Sequence, residues 1–209
     1  MQLAKVYDHT TNRERLEAMG LDEAILRQAV IDGELARASC TDNDPRVFRG
    51  QIAWARATRG LREALIPRGW KAAEKANLPV VVSPDNSTAI TVSSGDDCTG
   101  LRDRSPKTRN PKGAATLAAI MRNVLQLNFG FIDDDDDEAQ RLTWVLLVAR
   151  TRDEVRCELS LPAAIGEGGR VTSWAERIIM EPVSLGAEEP VSPPENEAAV
   201  EIEVVRKPR

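Results

Sequence analysis

The sequence predicts an α+β protein in which an N-terminal helical region packs beside a mainly antiparallel sheet, with one long helix on a sheet face. Three patterns support this prediction. Apolar residues recur at helical spacing from about 10 to 68, and they alternate at strand spacing in several runs between 80 and 183. One further helical run, 114–127, interrupts the strands. Separate blocks of helices and strands are typical of this class.

Composition divides the chain into three segments. These are a helical region over 1–70, an α+β sheet region over 71–185, and an acidic tail rich in Pro and Glu over 186–209. Apolar residues alternate with glutamates over 200–204, which predicts a short terminal strand at a sheet edge or against a partner.

Three helices are predicted in the N-terminal region. Asn12 is placed to cap the first, which ends at Gly20, and the second runs from about 21 to 38. Asp44 is placed to cap the third, with Pro45 at its first position, a favourable pairing of cap and proline.

The third helix combines an apolar stripe with an arginine-rich arc. Trp54 and Leu61 lie on the stripe and are predicted to be buried. The remaining arc carries Arg46, Arg49, Arg56, Arg59 and Arg62. Two interpretations stay open: a solvated face around a core helix, or a face that follows the phosphates of a nucleic acid.

A β-hairpin and a long polar loop follow these helices. β-branched runs near 80–82 and 88–92 flank a cluster of turn-forming residues, which predicts two strands. The connection to the next helix is roughly 18 residues long, and connections beyond about 12–15 residues are usually functional or disordered. Its cations are Arg102, Arg104, Lys107, Arg109 and Lys112. We expect one anion-binding surface here, formed with the N-terminus of the next helix and extended by Arg49, Arg56 and Arg59.

The rest of the pattern predicts one helix and further strands. The helix at 114–127 has a clear apolar face, and an acidic run at 133–138 is interpreted as a solvated loop. Strands are predicted over 141–150, 155–161 and 171–183. Besides Trp54 and Leu61, the residues predicted to be buried are Trp144, Leu146 and Leu159.

Charge and composition limit the classes of function. The net charge is −5, yet 19 Lys and Arg stand against 15 Asp and Glu up to residue 128, and 9 stand against 18 beyond it. This asymmetry predicts a basic and an acidic face, or an acidic tail. No apolar run approaches the roughly 18–20 residues of a membrane span, and the start lacks a signal-peptide core. We therefore expect a cytoplasmic protein with no membrane partner.

Histidine and cysteine content restricts the available chemistry. His9 is the single histidine, so a zinc site built from several histidines is excluded. Cys40, Cys98 and Cys157 are widely separated and odd in number, which fits neither zinc spacing nor a disulfide framework. We expect all three to be reduced thiols.

The loop also allows a hypothesis of metal-dependent catalysis. Carboxylates at neighbouring strand ends could hold Mg²⁺ beside a phosphate and a lysine. The candidate residues are Asp85, Asp96 and Asp97, with Lys107 or Lys112 on the phosphate. The alternative is that Asp96 or Asp97 accepts hydrogen bonds from backbone donors of a turn. Outside this hypothesis, no metal site and no cofactor are predicted.

Three segments resemble a set of uncharacterised bacterial proteins. They are Gly95–Gly100, with the sequence Gly-Asp-Asp-Cys-Thr-Gly, then Glu158–Pro162, and Trp174 followed by Glu176–Ile178. The similarity extends over most of the chain from the third helix onward. The resemblance implies no activity, and it suggests a place among mobile-element or phage-defence genes.

The leading expectation is a non-enzymatic, cytoplasmic, nucleic-acid-associated accessory or interaction protein, for which a protein partner is also expected. One alternative is a Mg²⁺-dependent phosphodiesterase or nuclease. Another is a purely protein-binding subunit of a complex. A basic surface left open in the structure would favour nucleic acid over a protein partner.

Overall fold

The structure, a computed structural model, describes residues 4–129 and 141–185. Within them, one sheet of eight strands lies between helices on both of its faces. The strands are β1 (Lys5–Tyr7), β2 (Lys71–Lys75), β3 (Leu78–Val82), β4 (Thr88–Ser94), β5 (Leu142–Arg150), β6 (Glu154–Ile165), β7 (Val171–Ile179) and β8 (Val183–Ser184). The helices are α1 (Arg13–Glu17), α2 (Glu23–Ala38), α3 (Phe48–Leu65) and α4 (Ala114–Phe129). The predicted acidic run at 133–138 and the predicted tail with its terminal strand lie outside the described residues.

The strand order is β1-β7-β6-β5-β4-β3-β2, with β8 also paired to β6. Most pairs are antiparallel, as predicted, but β1–β7 and β4–β5 are parallel, so the sheet is mixed. β4 and β5 can run parallel because the chain crosses back between them through the long loop and α4. Their carboxyl ends, at Ser94 and Arg150, therefore lie at the same edge of the sheet.

α1, α2 and α3 cover one face of the sheet, called here the three-helix face. Leu26 of α2 and Leu61 of α3 are buried there against the sheet. The sheet contributes Trp144, Leu146 and Leu159 to the same core. Burial is thus confirmed for four of the five residues for which it was predicted.

α4 lies alone on the opposite face, called here the single-helix face. Ile120 of α4 packs on Val145 and Leu147 of β5, with Trp174 of β7 beside them. The predicted long helix on a sheet face is α4.

Trp54 is the fifth residue, and the prediction of its burial is wrong. Its relative exposure is 42%, and its indole Nε1 donates to the carbonyl of Val92 at 3.2 Å. β3 pairs with β4 through Val81 and Val82 opposite Ile90 and Ala89. The indole therefore lies beside β4 beyond this paired stretch, and the residue stays partly open to solvent.

Two predicted helix caps differ in the structure. Asn12 is buried, and its side-chain amide donates to the carbonyl of Ile179 at 3.1 Å instead of capping α1. α3 begins at Phe48, and the Asp44 carboxylate accepts from the Thr41 backbone N–H in the preceding turn. In both cases a partner outside the helix takes the polar group.

Several strand predictions also needed correction. β1 and β2 lie where no strand was predicted, and β2 is polar and fully exposed, so it lacks the apolar signal of a strand. β6 continues through Pro162 to Ile165, beyond the strand end predicted at residue 161. The β6–β7 register shifts on both sides of Pro162, and proline is tolerated at such bulges.

Candidate functional site at the carboxyl end of the parallel strands

The loop between β4 and α4 is fastened to the sheet by a buried ion pair. Glu158 of β6 and Arg177 of β7 are 0% and 2% exposed, and Arg177 Nη2 lies 2.5 Å from Glu158 Oε2. Arg177 also donates to the carbonyls of Leu101 at 3.0 Å and Arg104 at 2.7 Å. Glu158 accepts from the Gly100 N–H at 2.8 Å. Because these buried groups satisfy one another, they hold this part of the loop in one conformation.

The following residues of the loop bond to β7. The indole Nε1 of Trp174 donates to the carbonyl of Pro106 at 2.8 Å. The backbone N–H of Thr108 donates to the carbonyl of Val171 at 3.1 Å, and the Thr108 hydroxyl accepts from the Val171 N–H. The long connection is therefore held on the sheet by specific hydrogen bonds, although it contains no helix or named strand.

The three segments that carry the resemblance meet at this junction. Gly100 bonds to Glu158, Glu158 pairs with Arg177, and Trp174 holds the loop a few residues further on. In this chain, these residues have the physical role of positioning the loop. Glu158 and Ser160 alternate with the apolar residues of β6, yet both are fully buried.

A cleft, called here the arginine cleft, opens at the carboxyl ends of β4 and β5. Arg109 of the loop, Arg37 of α2 and Arg150 at the end of β5 line it, together with Glu34 of α2. Its volume is about 120 Å³, room for a few water molecules or one phosphate-sized group. Ligands of open α/β sheets commonly bind outside the carboxyl ends of strands, which is where this cleft lies.

The cleft is rich in guanidinium groups. Glu34 lies 3.2 Å from Nε of Arg150 and 3.9 Å from Nε of Arg37. Burial nonetheless raises the pKa of the Glu34 carboxyl, and these two arginines counteract part of that rise. Among the described residues, the guanidinium of Arg109 has one ion-pair contact, at 3.9 Å with Asp97, whose side chain is exposed. The three arginines of the cleft thus have two carboxylate partners, Glu34 and Asp97, and the Asp97 side chain lies in solvent.

Small residues shape the cleft where α2 and α3 meet. A Cβ at Gly33 would lie 2.7 Å from the carbonyl oxygen of Ala53, so glycine is needed for the close approach of the two helices. Gly50 and Ala53 leave space on the α3 side, and Trp54 forms the wall toward β4. The half-exposed indole therefore stands beside the arginines.

Lys112 does not face this cleft. Its Nζ donates to Oγ of Ser93 at 2.5 Å, and its backbone N–H donates to the carbonyl of Gly169 at 2.8 Å. Ser93 and Lys112 line a second cavity of about 140 Å³, called here the lysine cavity, which shares Trp54 as a wall with the arginine cleft. Burial lowers the pKa of the Lys112 amine.

The predicted loop cations lie in different environments. Arg102 forms an ion pair with Asp8. Arg104 and Lys107 have exposed side chains, and their carbonyls accept from Arg177 of β7 and from the Asp96 N–H. Arg109 lines the arginine cleft, and Lys112 is turned into the lysine cavity. The cations that the structure brings to the arginine cleft are thus Arg109 from the loop and two arginines from other elements.

The predicted extension along α3 does not line the cleft either. Arg49 pairs with Asp42 at 2.9 Å and Arg59 pairs with Glu63 at 2.7 Å, and Arg56 is exposed. These arginines lie on the part of α3 away from Trp54. The interpretation of a solvated arginine face describes Arg49 and Arg59, whose charges are already paired.

The three predicted carboxylates do not meet. Asp85 precedes β4 and Asp96 follows it, and seven residues of strand at about 3.3 Å each separate the two ends by ~20 Å. Asp85 accepts hydrogen bonds from Ser87 in its own turn. Asp96 accepts from the Cys98 N–H at 3.1 Å, which is the turn-capping alternative. Over 4–129 and 141–185, no group of three or more His, Cys, Asp or Glu residues could hold a metal ion.

Sequence reasoning missed Glu34, Arg37, Ser93 and Arg150. Arg150 could have been found from the sequence. It is a cation at the end of the most apolar strand, and ligands often bind at the carboxyl ends of strands. Arg37 gave no such signal, because an arginine near a helix C-terminus is common. It belongs to the cleft only because the fold brings it near Arg150, more than a hundred residues away in the chain.

No family model, curated protein or solved structure matches this chain. Among the helices of the described residues, none combines the length and apolar character needed to cross a membrane. Any assignment of function therefore rests on the geometry of the site itself.

Proposed function

We propose that the protein binds single-stranded nucleic acid at the arginine cleft, as a nucleic-acid-associated accessory protein of the cytoplasm. One observation supports this above the others. Arg37, Arg109 and Arg150 come from three separate elements and converge beside the half-exposed indole of Trp54. Guanidinium groups suit phosphate oxygens, and aromatic rings beside cations are typical of single-strand binding.

The two halves of the site have separate roles in this proposal. A backbone phosphate occupies the cleft, where planar guanidinium groups donate paired hydrogen bonds to its oxygens. The cavity is of phosphate size, so the sugar and base lie outside it. An unpaired base then stacks on the open side of Trp54, and this contact tolerates any sequence. A duplex offers phosphates but no free base, so we expect it to bind more weakly.

Fluorescence anisotropy with labelled single-stranded and duplex oligonucleotides tests the proposal. We expect binding at low salt, with a log–log slope of about −0.7 for each phosphate neutralised on a single strand. Arg109→Ala and Arg150→Ala should each weaken binding and flatten this slope. Trp54→Ala should weaken binding of the single strand by about 1–3 kcal/mol and leave the slope unchanged.

Matched variants separate the cleft from general charge. Arg13→Ala removes an exposed arginine of α1 that pairs with Glu17, and it should leave binding unchanged. Arg56→Ala tests the alternative site along α3. Equal losses in Arg13→Ala and Arg109→Ala would show that only net charge matters, and the proposal would then be wrong. Adding Mg²⁺ should produce no cleavage by the predicted carboxylates, because Asp85 lies far from Asp96.

A second candidate function, protein binding, is favoured by the outer surface of α4. Met121, Leu125 and Leu127 are 49%, 38% and 44% exposed, and Arg122 is the one charged residue in the 16 of this helix. An exposed helix face with so little charge is typical of an interface. Light scattering of the purified protein, with Met121→Ser and Leu125→Ser as variants, would show whether copies of the chain associate through it. The place among mobile-element or phage-defence genes stays a prediction.

A further inference from the structure

The lysine cavity holds an amine without a carboxylate beside it. The cavity lies at the carboxyl end of β4, where the two faces of the sheet meet, and it is formed by Trp54, Leu78, Thr108, Thr116, Val145 and Val171 around Ser93 and Lys112. The described residues lining it come from α3, β3, β4, β5, β7, α4 and the loops between them. Lys112 is the one titratable or charged side chain among them. Lys112 is half-buried, and a lysine withdrawn from water usually has an ion-pair partner, so this environment calls for a reason.

Burial changes the chemistry of this amine. It lowers the pKa of Lys112 from 10.5, and no carboxylate among the described residues lining the cavity counteracts the effect. A larger fraction of the amine is then neutral near pH 7 than for a solvated lysine. Desolvated lysines of this kind act as general bases in enzymes.

Ser93 is the partner of the amine. Its hydroxyl lies on the single-helix side of β4, one residue before the strand ends, and its residue is 7% exposed. Oγ of Ser93 and Nζ of Lys112 are 2.5 Å apart, within the distance for direct proton transfer. The hydroxyl also faces the cavity, so a small substrate group could reach it.

We propose that Ser93 and Lys112 form a nucleophile–base pair that hydrolyses small esters or amides. The neutral Nζ of Lys112 takes the proton of the Ser93 hydroxyl while Oγ attacks the acyl carbon. The ammonium then returns this proton to the departing alcohol or amine, which leaves an ester on Ser93. Water attacks this ester with Lys112 again as base, and it releases the carboxylic acid and the free serine. Serine–lysine pairs are an established variant of nucleophilic catalysis.

The first turn of α4 is placed to stabilise the oxyanion. The N–H of Leu117 donates to the carbonyl of Gly113, so the N–H groups of Ala114, Ala115 and Thr116 precede the first intrahelical bond. Thr116 lines the same cavity as Ser93. Backbone N–H groups at a helix start stabilise the negative oxygen of a tetrahedral intermediate. The cavity volume of about 140 Å³ limits the acyl group to a short one, such as acetyl.

Labelling with a fluorophosphonate probe, with the modified residue identified by mass spectrometry, tests this proposal directly. We expect an adduct on Ser93 in the full chain and a slow hydrolysis of p-nitrophenyl acetate. Ser93→Ala should abolish both. Lys112→Met should reduce the labelling rate by about 10²–10⁴-fold, the usual contribution of a general base. The rate in the wild type should rise with pH and level off below 10.5.

Two neighbouring variants serve as controls, and one variant separates catalysis from structure. Ser94→Ala and Lys107→Met alter exposed residues close by and should keep the wild-type rate. Lys112→Arg keeps a cation that cannot act as a base, so it should fold with a wild-type circular dichroism spectrum and lose labelling. No adduct on Ser93 in the folded wild type would overturn the proposal, and so would wild-type labelling in Lys112→Arg.

Discussion

The two faces of the sheet are built on different principles. On the three-helix face, the buried cluster that joins the helices to the sheet is apolar. Leu26 of α2 and Leu159 of β6 both belong to it. On the single-helix face, buried polar groups stand among a smaller apolar cluster, and several of them bond to specific partners. Asn123 of α4 is one, since its amide donates to the carbonyl of Thr143 at 2.7 Å. The first face supplies stability through apolar area, and the second positions polar groups at the cost of desolvating them.

This difference explains where the candidate sites lie. The arginine cleft and the lysine cavity both lie at the carboxyl end of β4, where the two faces meet past Trp54. The fastened loop belongs to the single-helix face, and it supplies Arg109 to one site and Lys112 to the other. Four variants test how far the two faces differ.

The largest effect should come from Arg177→Met on the single-helix face. It leaves Glu158 charged and buried, and it removes the donors to the carbonyls of Leu101 and Arg104. Breaking a buried ion pair in this way costs about 3–5 kcal/mol, which urea denaturation would measure. Arg13→Met breaks an exposed pair, which solvent screens, and should cost far less than Arg177→Met. Equal costs for the two variants would contradict the role of the Glu158–Arg177 pair in fastening the loop.

Leu146→Ala tests the apolar core of the three-helix face. Leu146 is fully buried, so the change should cost about 2–5 kcal/mol in the free energy of unfolding. Leu147→Ala, one residue further along β5, creates a cavity on the other face. If the smaller cluster there relaxes more easily, Leu147→Ala should cost less. The reverse order would show that α4 packs as tightly as the three helices.

Lys112→Met should change the pH dependence of stability. The pKa of Lys112 is lower in the folded state than in the unfolded state, so above the folded pKa the unfolded chain binds more protons. Stability of the wild type should therefore rise as the pH increases from the folded pKa toward 10.5. Thermal melts between neutral and alkaline pH should show this rise in Lys107→Met and a flatter profile in Lys112→Met. Parallel profiles would mean that the amine is solvated.

The smallest effect is expected for Leu125→Ala on the outer surface of α4. This side chain is 38% exposed, so truncating it should change the free energy of unfolding by only about 0.5 kcal/mol. A much larger loss, together with a dependence on protein concentration, would indicate that this surface is covered by a second copy in solution. Denaturation at two protein concentrations distinguishes the two outcomes.

The sequence alone was sufficient for most elements with strong periodicity. The second and third helices, the β3–β4 hairpin, α4 and the apolar β5 strand all form near the predicted positions. Their apolar spacing also identified Leu61, Trp144, Leu146 and Leu159 as core residues. Periodicity works here because each pattern records which side of one element faces away from water.

Only the tertiary structure decided the partners of the polar residues. Glu158 alternates with apolar neighbours like a solvent-facing residue, yet it is buried because a loop from far along the chain covers it. Trp54 lies on an apolar stripe but reaches a strand edge instead of the core. Charge patterning grouped Lys112 with Arg109, and the fold separated them. A charge in a sequence specifies its chemistry, whereas its burial, partner and pKa depend on the long-range contacts that surround it.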